Sequence, residues 1–435
     1  MKKQLLLLLL IVFHFTTIES QILEDLLFEL PDVIFKEIES IDGYEQTYEL
    51  RIKQPIDHSD HSNGYFYQKV YLSHKGFEKP TVIITQGYDR KTNSIYEISE
   101  LLDANQIDVE HRYYGDSKPD SLDYSYLNLK QVSADLHHIN QLFKEFYKEK
   151  WISTGISKGG ATTVFYRYFY PDDVDLSVPY VAPINNAYED ERLYKFLNTT
   201  GTDECRNSII SYQRKLLENR DKIIPLLNYY SKGADAKYTY LTFEEAFEYA
   251  VLEYSFSFWQ SGISCDDIPV DTASLYEITD HFIEVSDIVF FSDAPIEKYG
   301  SHYYQAAEEM GYYGYETNNF KDLLIALPVK PYPFAALTPN KMPVVFNGTL
   351  LKDVNKWLKS NPNKFIYING ANDTWSATAV PQTKNENSVW FFMEGKHHYN
   401  ARIRNMDQED YDKFIKTLEN WLSLTIENQL QTIDN

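Results

Sequence analysis

The sequence predicts an α/β fold: a mostly parallel sheet with helices on its faces, interrupted by a large helical insertion. Strand and helix patterns alternate from Pro80 to Val181. The chain then becomes helical in pattern and rich in Glu, Lys, Tyr and Phe, and strand patterns return from Met342. Such alternation marks a sheet whose crossovers are helices. It divides the chain into a leader over 1–20, a core in two parts over 21–184 and 339–435, and a helical cap over 185–338.

The leader is read from its order of residue types. Lys2 and Lys3 precede an apolar run from Leu5 to Phe15, and the polar residues Thr16, Thr17, Glu19 and Ser20 follow. That order is the layout of a secretory signal peptide, and the run is short for a membrane span. Ser20 is small enough to precede a cut, although Ile18 is bulkier than the usual pattern. The expectation is export to a periplasm or outside the cell, with no stable membrane anchor.

The core elements follow in order. The segment from Pro80 to Gly87, Pro-Thr-Val-Ile-Ile-Thr-Gln-Gly, carries a continuous β-branched apolar run ending in a glycine, which suits a strand buried on both faces. Ile107-Asp108-Val109 is a second short strand, and apolar residues from Leu127 to Tyr147 recur at helical spacing. Trp151 to Gly155 reads as a strand, Val164 to Tyr168 as part of a helix stopped by Pro171, and Asp175 to Val181 as a strand. Beyond the insertion, strands are expected at Met342–Phe346, Lys364–Gly370 and Ser388–Met393, and a helix from about Glu409 to Ile426. The only cysteines, Cys205 and Cys265, both fall in the insertion. In an exported chain an even pair without a Cys/His cluster predicts a disulfide and no zinc site.

Gly155-Ile156-Ser157-Lys158-Gly159 matches Gly-x-Ser-x-Gly at the junction of a strand and a helix. A nucleophilic serine needs a sharp, strained turn there, and glycines two residues to either side let strand and helix approach without Cβ clashes. The following helix aims backbone N–H groups at a developing oxyanion. An acid and a histidine must follow in that order. Asp373 lies just past the strand ending at Gly370, and His397 and His398 follow the strand ending at Met393. Asp373 taken alone also suits a helix cap or a turn. With all three in order at strand ends, the core is expected to be an α/β-hydrolase fold with Ser157, Asp373 and one of the two histidines as its triad. The oxyanion hole would combine the Lys158 N–H with a donor from Gly87 or Tyr88. The Lys158 side chain is expected to face solvent.

Several blocks resemble the bacterial secreted tripeptidyl aminopeptidases: Thr154 to Gly160, Tyr170-Pro171-Asp172-Asp173-Val174-Asp175, Tyr180-Val181-Ala182-Pro183, and Glu110-His111-Arg112-Tyr113-Tyr114-Gly115-Asp116-Ser117. The last is also similar to the prolyl carboxypeptidase and dipeptidyl peptidase group. The resemblance implies a serine peptidase that releases short peptides, tripeptides above all, from substrates with a free N-terminus. It departs around Lys396-His397-His398-Tyr399, where two histidines stand in place of one. The related group's His-His pattern favours His398 over His397.

An aminopeptidase must hold an α-ammonium, and a carboxylate in the insertion is the simplest means. Glu253 is the candidate because aromatics surround it in the sequence, although a helix glutamate is more often solvated. Tyr312, Tyr313 and Tyr315 suit a substrate passage or plain packing. A net charge of -23 argues against nucleic acid and anionic membranes as partners. No cofactor is expected. A carboxylic-ester hydrolase of the same fold and an inactive binding protein remain as alternatives.

Overall fold

The computed structural model describes residues 22–328, 337–360, 364–384, 387–427 and 430. The segment over 1–20 expected to be a leader lies outside them. The sheet begins with strands absent from the sequence reading: β1 (Val33–Ile38), β2 (Gln46–Pro55) and β3 (Tyr65–His74), an antiparallel meander. Tyr48, Leu50 and Ile52 alternate along β2 with their side chains fully buried, the period-2 signal of a sheet face. Six strands then run parallel: β4 (Thr81–Thr85), β5 (Asn105–Val109), β6 (Trp151–Ile156), β7 (Leu176–Tyr180), β8 (Phe365–Gly370) and β9 (Ser388–Met393). The order across the sheet is β1-β2-β3-β5-β4-β6-β7-β8-β9, with β3 antiparallel to β5.

Helices cover both faces. On one, α1 (Glu97–Leu101) and α11 (Gln408–Leu422) pack on Val82, Ile84, Ile152, Val178 and Ile368. On the other, α2 (Leu129–Lys144) lies over Ile83, Ile107 and Val109, while α3 (Lys158–Phe169) and α10 (Thr349–Ser360) share a cluster with Phe365 and Tyr367. Neighbours Ile83 and Ile84 thus serve opposite faces, as strand alternation requires.

The strand expected at Met342–Phe346 is not formed. β7 pairs directly with β8, which leaves no place for a strand between them. Val345 points outward at 87 % exposure, and Phe346 packs against Tyr188 instead.

Between β7 and β8 the insertion builds its own core from α4 (Glu191–Thr199), α5 (Asp203–Glu218), α6 (Arg220–Gly233), α7 (Phe243–Ser261), α8 (Leu275–Val285) and α9 (Asp293–Gln305). α7 is its axis, buried from Ala246 to Trp259 at most positions. A capping box between Thr242 and Glu245 starts it, and Gly262 in the left-handed region ends it. The predicted disulfide joins Cys205 at the start of α5 to Cys265 just beyond α7, with Cα atoms 5.5 Å apart. No helix among the described residues is long and apolar enough to cross a membrane.

Candidate active site

Ser157 sits between β6 and α3 with φ 57° and ψ −125°, a backbone conformation unusual for a non-glycine residue. The turn is that sharp because its neighbours lack side chains. A Cβ on Gly155 would lie 2.4 Å from the Gly159 carbonyl carbon, and one on Gly159 would lie 2.4 Å from the Thr85 carbonyl oxygen. The Ser157 N–H donates to the Tyr180 carbonyl at 2.9 Å, which holds the turn against β7. Its side chain makes no capping bond to α3.

Asp373 follows β8 and is fully buried. It accepts hydrogen bonds from the Trp375 N–H at 3.1 Å and the Ser376 hydroxyl at 3.0 Å. Nδ1 of His398, in the loop after β9, lies 3.1 and 3.0 Å from its two oxygens. His397 points elsewhere, packing against Gly262 at the end of α7. The structure therefore brings His398, and not His397, to Asp373. Two bonds tie this pair to the insertion: the His398 N–H donates to the Gln260 carbonyl at 3.2 Å, and the Thr374 hydroxyl donates to the Phe256 carbonyl at 2.9 Å.

A cavity of about 690 Å³ opens between core and insertion, with Ser157, Lys158, Tyr88 and His398 on one side and Glu253, Phe256, Tyr312, Tyr313 and Trp375 on the other. Glu253 is not solvated on a helix face. It is 7 % exposed and accepts from the Tyr313 hydroxyl at 2.9 and 2.8 Å and from the Tyr315 hydroxyl at 2.9 Å. Ser257 adds a longer bond at 3.3 Å. Phe256 stacks on Tyr313 with centroids 4.0 Å apart, and Trp375 meets both edge-on. Glu253 has no cationic partner among the described residues. Burial pushes its carboxyl up to about 7, against the opposing pull of the three hydroxyls.

One expectation fails. The Lys158 side chain is buried, because the first turn of α3 lies beneath the loop after β4 rather than at the surface. Its Nζ donates to the Gly87 carbonyl at 2.8 Å and lies over the rings of Tyr88 and Tyr114. Gly87 packs directly on the elbow, so the proposed oxyanion residues Gly87, Tyr88 and Lys158 are brought together. The sequence reading missed this lysine contact, the tyrosine hydroxyls on Glu253, and Trp375. Only the Tyr-rich run 312–315 gave any signal.

The chain is similar to several known proteins. A prolyl tri/tetrapeptidyl aminopeptidase of Streptomyces mobaraensis is 31 % identical over 359 residues, 81 % of this chain and 75 % of that protein. A prolyl carboxypeptidase-like protein of Caenorhabditis elegans is 28 % identical over 182 residues, 36 % of this chain and 35 % of its own. Among solved structures, proline iminopeptidase of Mycobacterium smegmatis covers 86 % of this chain and 97 % of its own, at 12 % identity and a TM-score of 0.40. That likeness is too distant to speak to a substrate. The model of the PS-10 peptidase S37 family matches residues 19–407, and the chain belongs to that family of serine peptidases.

Proposed function

We propose that the protein is an exported exopeptidase that releases short peptides, tripeptides above all, from the N-terminus of its substrates. The observation that carries this reading is Glu253, a buried carboxylate that pairs with no cation among the described residues and lines the cavity that also holds Ser157 and His398. A carboxylate in apolar surroundings is costly unless a positive group meets it. The free α-ammonium of a peptide is such a group, and the aromatic walls formed by Phe256, Tyr313 and Trp375 suit its side chains. A cavity of about 690 Å³ has room for a few residues and limits the length of the released piece. The tri/tetrapeptidyl activity named for the Streptomyces relative supports the same length. The signal-like leader over 1–20 supports export.

In this reading Ser157 Oγ attacks the scissile carbonyl and His398 Nε2 takes its proton, while Asp373 holds Nδ1–H and so fixes the tautomer. The tetrahedral oxyanion accepts from the backbone N–H groups of Lys158 and Tyr88. The imidazolium returns its proton to the leaving amine as the C–N bond breaks, leaving an ester on Ser157. Water, deprotonated by His398, then releases the peptide acid and restores the serine.

The test compares a tripeptide arylamide bearing a free N-terminus with its N-acetylated twin and a short acyl ester. Turnover of the free arylamide and little of the acetylated one is expected. Strong ester turnover without amide cleavage would sink the peptidase reading, and equal turnover of both arylamides would sink the role of the N-terminus.

A further inference from the structure

Lys158 is the group whose burial the catalytic scheme leaves unexplained. Lysine is seldom buried without a carboxylate beside it. Yet Lys158 is 2 % exposed, and its Nζ has no ion-pair partner among the described residues. Burial pushes its pKa well below the usual lysine range, and only the carboxylate of Glu309, too far for an ion pair, opposes this. The other titratable groups facing it are His111, His302, Tyr88 and Tyr114. Two aromatic faces, with centroids 5.2 and 4.9 Å from Nζ, compensate part of the lost hydration. A stem-only apolar residue would fill this space at lower cost, so the amine must do something there.

Its hydrogen bond to the loop after β4 shows what. Nζ donates to the Gly87 carbonyl at 2.8 Å. That carbonyl and the Tyr88 N–H belong to one peptide unit, and in a trans peptide the two point in opposite directions. Holding the carbonyl on the lysine side therefore turns the N–H away from it. The Tyr88 N–H has no partner among the described residues, while the Tyr88 carbonyl accepts from the His111 N–H at 3.2 Å. Gly87 supplies no restraint of its own, because glycine permits peptide rotation at little cost. Nor does the site admit a side chain there: a Cβ would lie 2.7 Å from Lys158 Cβ and 2.9 Å from the Gly159 nitrogen. The close approach demands glycine, and glycine demands an external clamp.

We propose that the Lys158 side chain is a positioning residue for the oxyanion hole, aiming the Tyr88 N–H through the Gly87 carbonyl while the Lys158 backbone N–H serves as the second donor. One residue thereby sets both halves of the hole. The inference rests on the Ser157 chemistry proposed above. An amine donates whether protonated or not, so the clamp adds no pH dependence of its own.

The experiment uses the mature enzyme and Lys158→Met, which keeps the unbranched stem and the backbone N–H but loses the donor. With a free tripeptide arylamide, kcat is expected to fall at least about tenfold while KM stays within about threefold, since the hole acts on the transition state. A peptide boronate, whose tetrahedral adduct occupies the hole, should weaken by a similar factor, whereas the product tripeptide should bind as before. Lys158→Gln, which retains a donor on a shorter arm, should recover part of the loss. A kcat within twofold of wild type, or equal weakening of boronate and product, would overturn the clamp. So would failure of both variants to fold, which would assign the lysine to the core. Fluorophosphonate labelling of wild-type Ser157 is run alongside. If it fails, the serine chemistry itself is wrong; if it succeeds while Lys158→Met matches wild type, only the clamp falls.

Discussion

Core and insertion each bring one buried carboxylate to the same cavity, and they hold it in different ways. Asp373, from the core, faces a histidine and accepts a backbone N–H and a hydroxyl. Glu253, from the insertion, meets among the described residues only the hydroxyls of Tyr313, Tyr315 and Ser257. The first is satisfied within the protein. The second is left short of a positive charge, which a substrate can bring. Under the proposed function, the difference gives bond-breaking to the core and choice of substrate to the insertion, and the two are latched through Gln260–His398 and Phe256–Thr374.

The largest effects should come from the core side. Ser157→Ala and His398→Ala should each lower kcat by about 10⁵-fold or more, as expected for members of one catalytic unit, measured by arylamide hydrolysis. His397→Ala should stay within about threefold, because surface-side loop residues carry little of such a unit. A reversed order for the two histidines would break the assignment of the pair.

The insertion side should show a selective loss. Glu253→Gln keeps the shape and the tyrosine contacts but removes the charge. It should lower kcat/KM about a hundredfold on peptides with a free N-terminus, the scale of breaking a buried charge pair, and change acetylated peptides little. Steady-state kinetics on the paired substrates reads this directly. Uniform loss on both would make Glu253 a structural residue.

A smaller effect follows from the raised carboxyl. With its pKa pushed up to about 7, Glu253 is neutral below that value and ionised above it. KM for free peptides should therefore fall as pH rises through that range, and Glu253→Gln should abolish the dependence. A KM profile unchanged by the substitution would detach the titration from substrate binding.

What the sequence made legible follows from how local each feature is. The Ser157 elbow is written within five residues, since the glycines that permit it are its neighbours in sequence. Asp373 and His398 are legible because each sits at a strand end in the required order, although two adjacent histidines stayed unresolved until the fold showed which ring meets the acid. The burial of Lys158 is not legible because its partner, Gly87, is 71 residues away and reaches it only through the sheet. The environment of Glu253 was half legible: the tyrosines are visible in the chain, but their hydroxyls converge only after α9 ends and the chain turns back on α7. The run Met342–Phe346 has strand composition without a strand, because β7 and β8 pair with each other and leave no place between them. The β1–β3 meander carries its signal in the alternation of Tyr48, Leu50 and Ile52, a short period-2 pattern among polar residues.

The central claim is that the insertion measures from a free N-terminus while the core cuts. The most direct measurement is a time course of fragment masses from one unblocked linear peptide and its acetylated twin. The account predicts that the unblocked peptide loses short pieces, tripeptides above all, in sequence from its N-terminus, and that the acetylated one stays intact. Internal cuts, single-residue release, or equal digestion of both would contradict it.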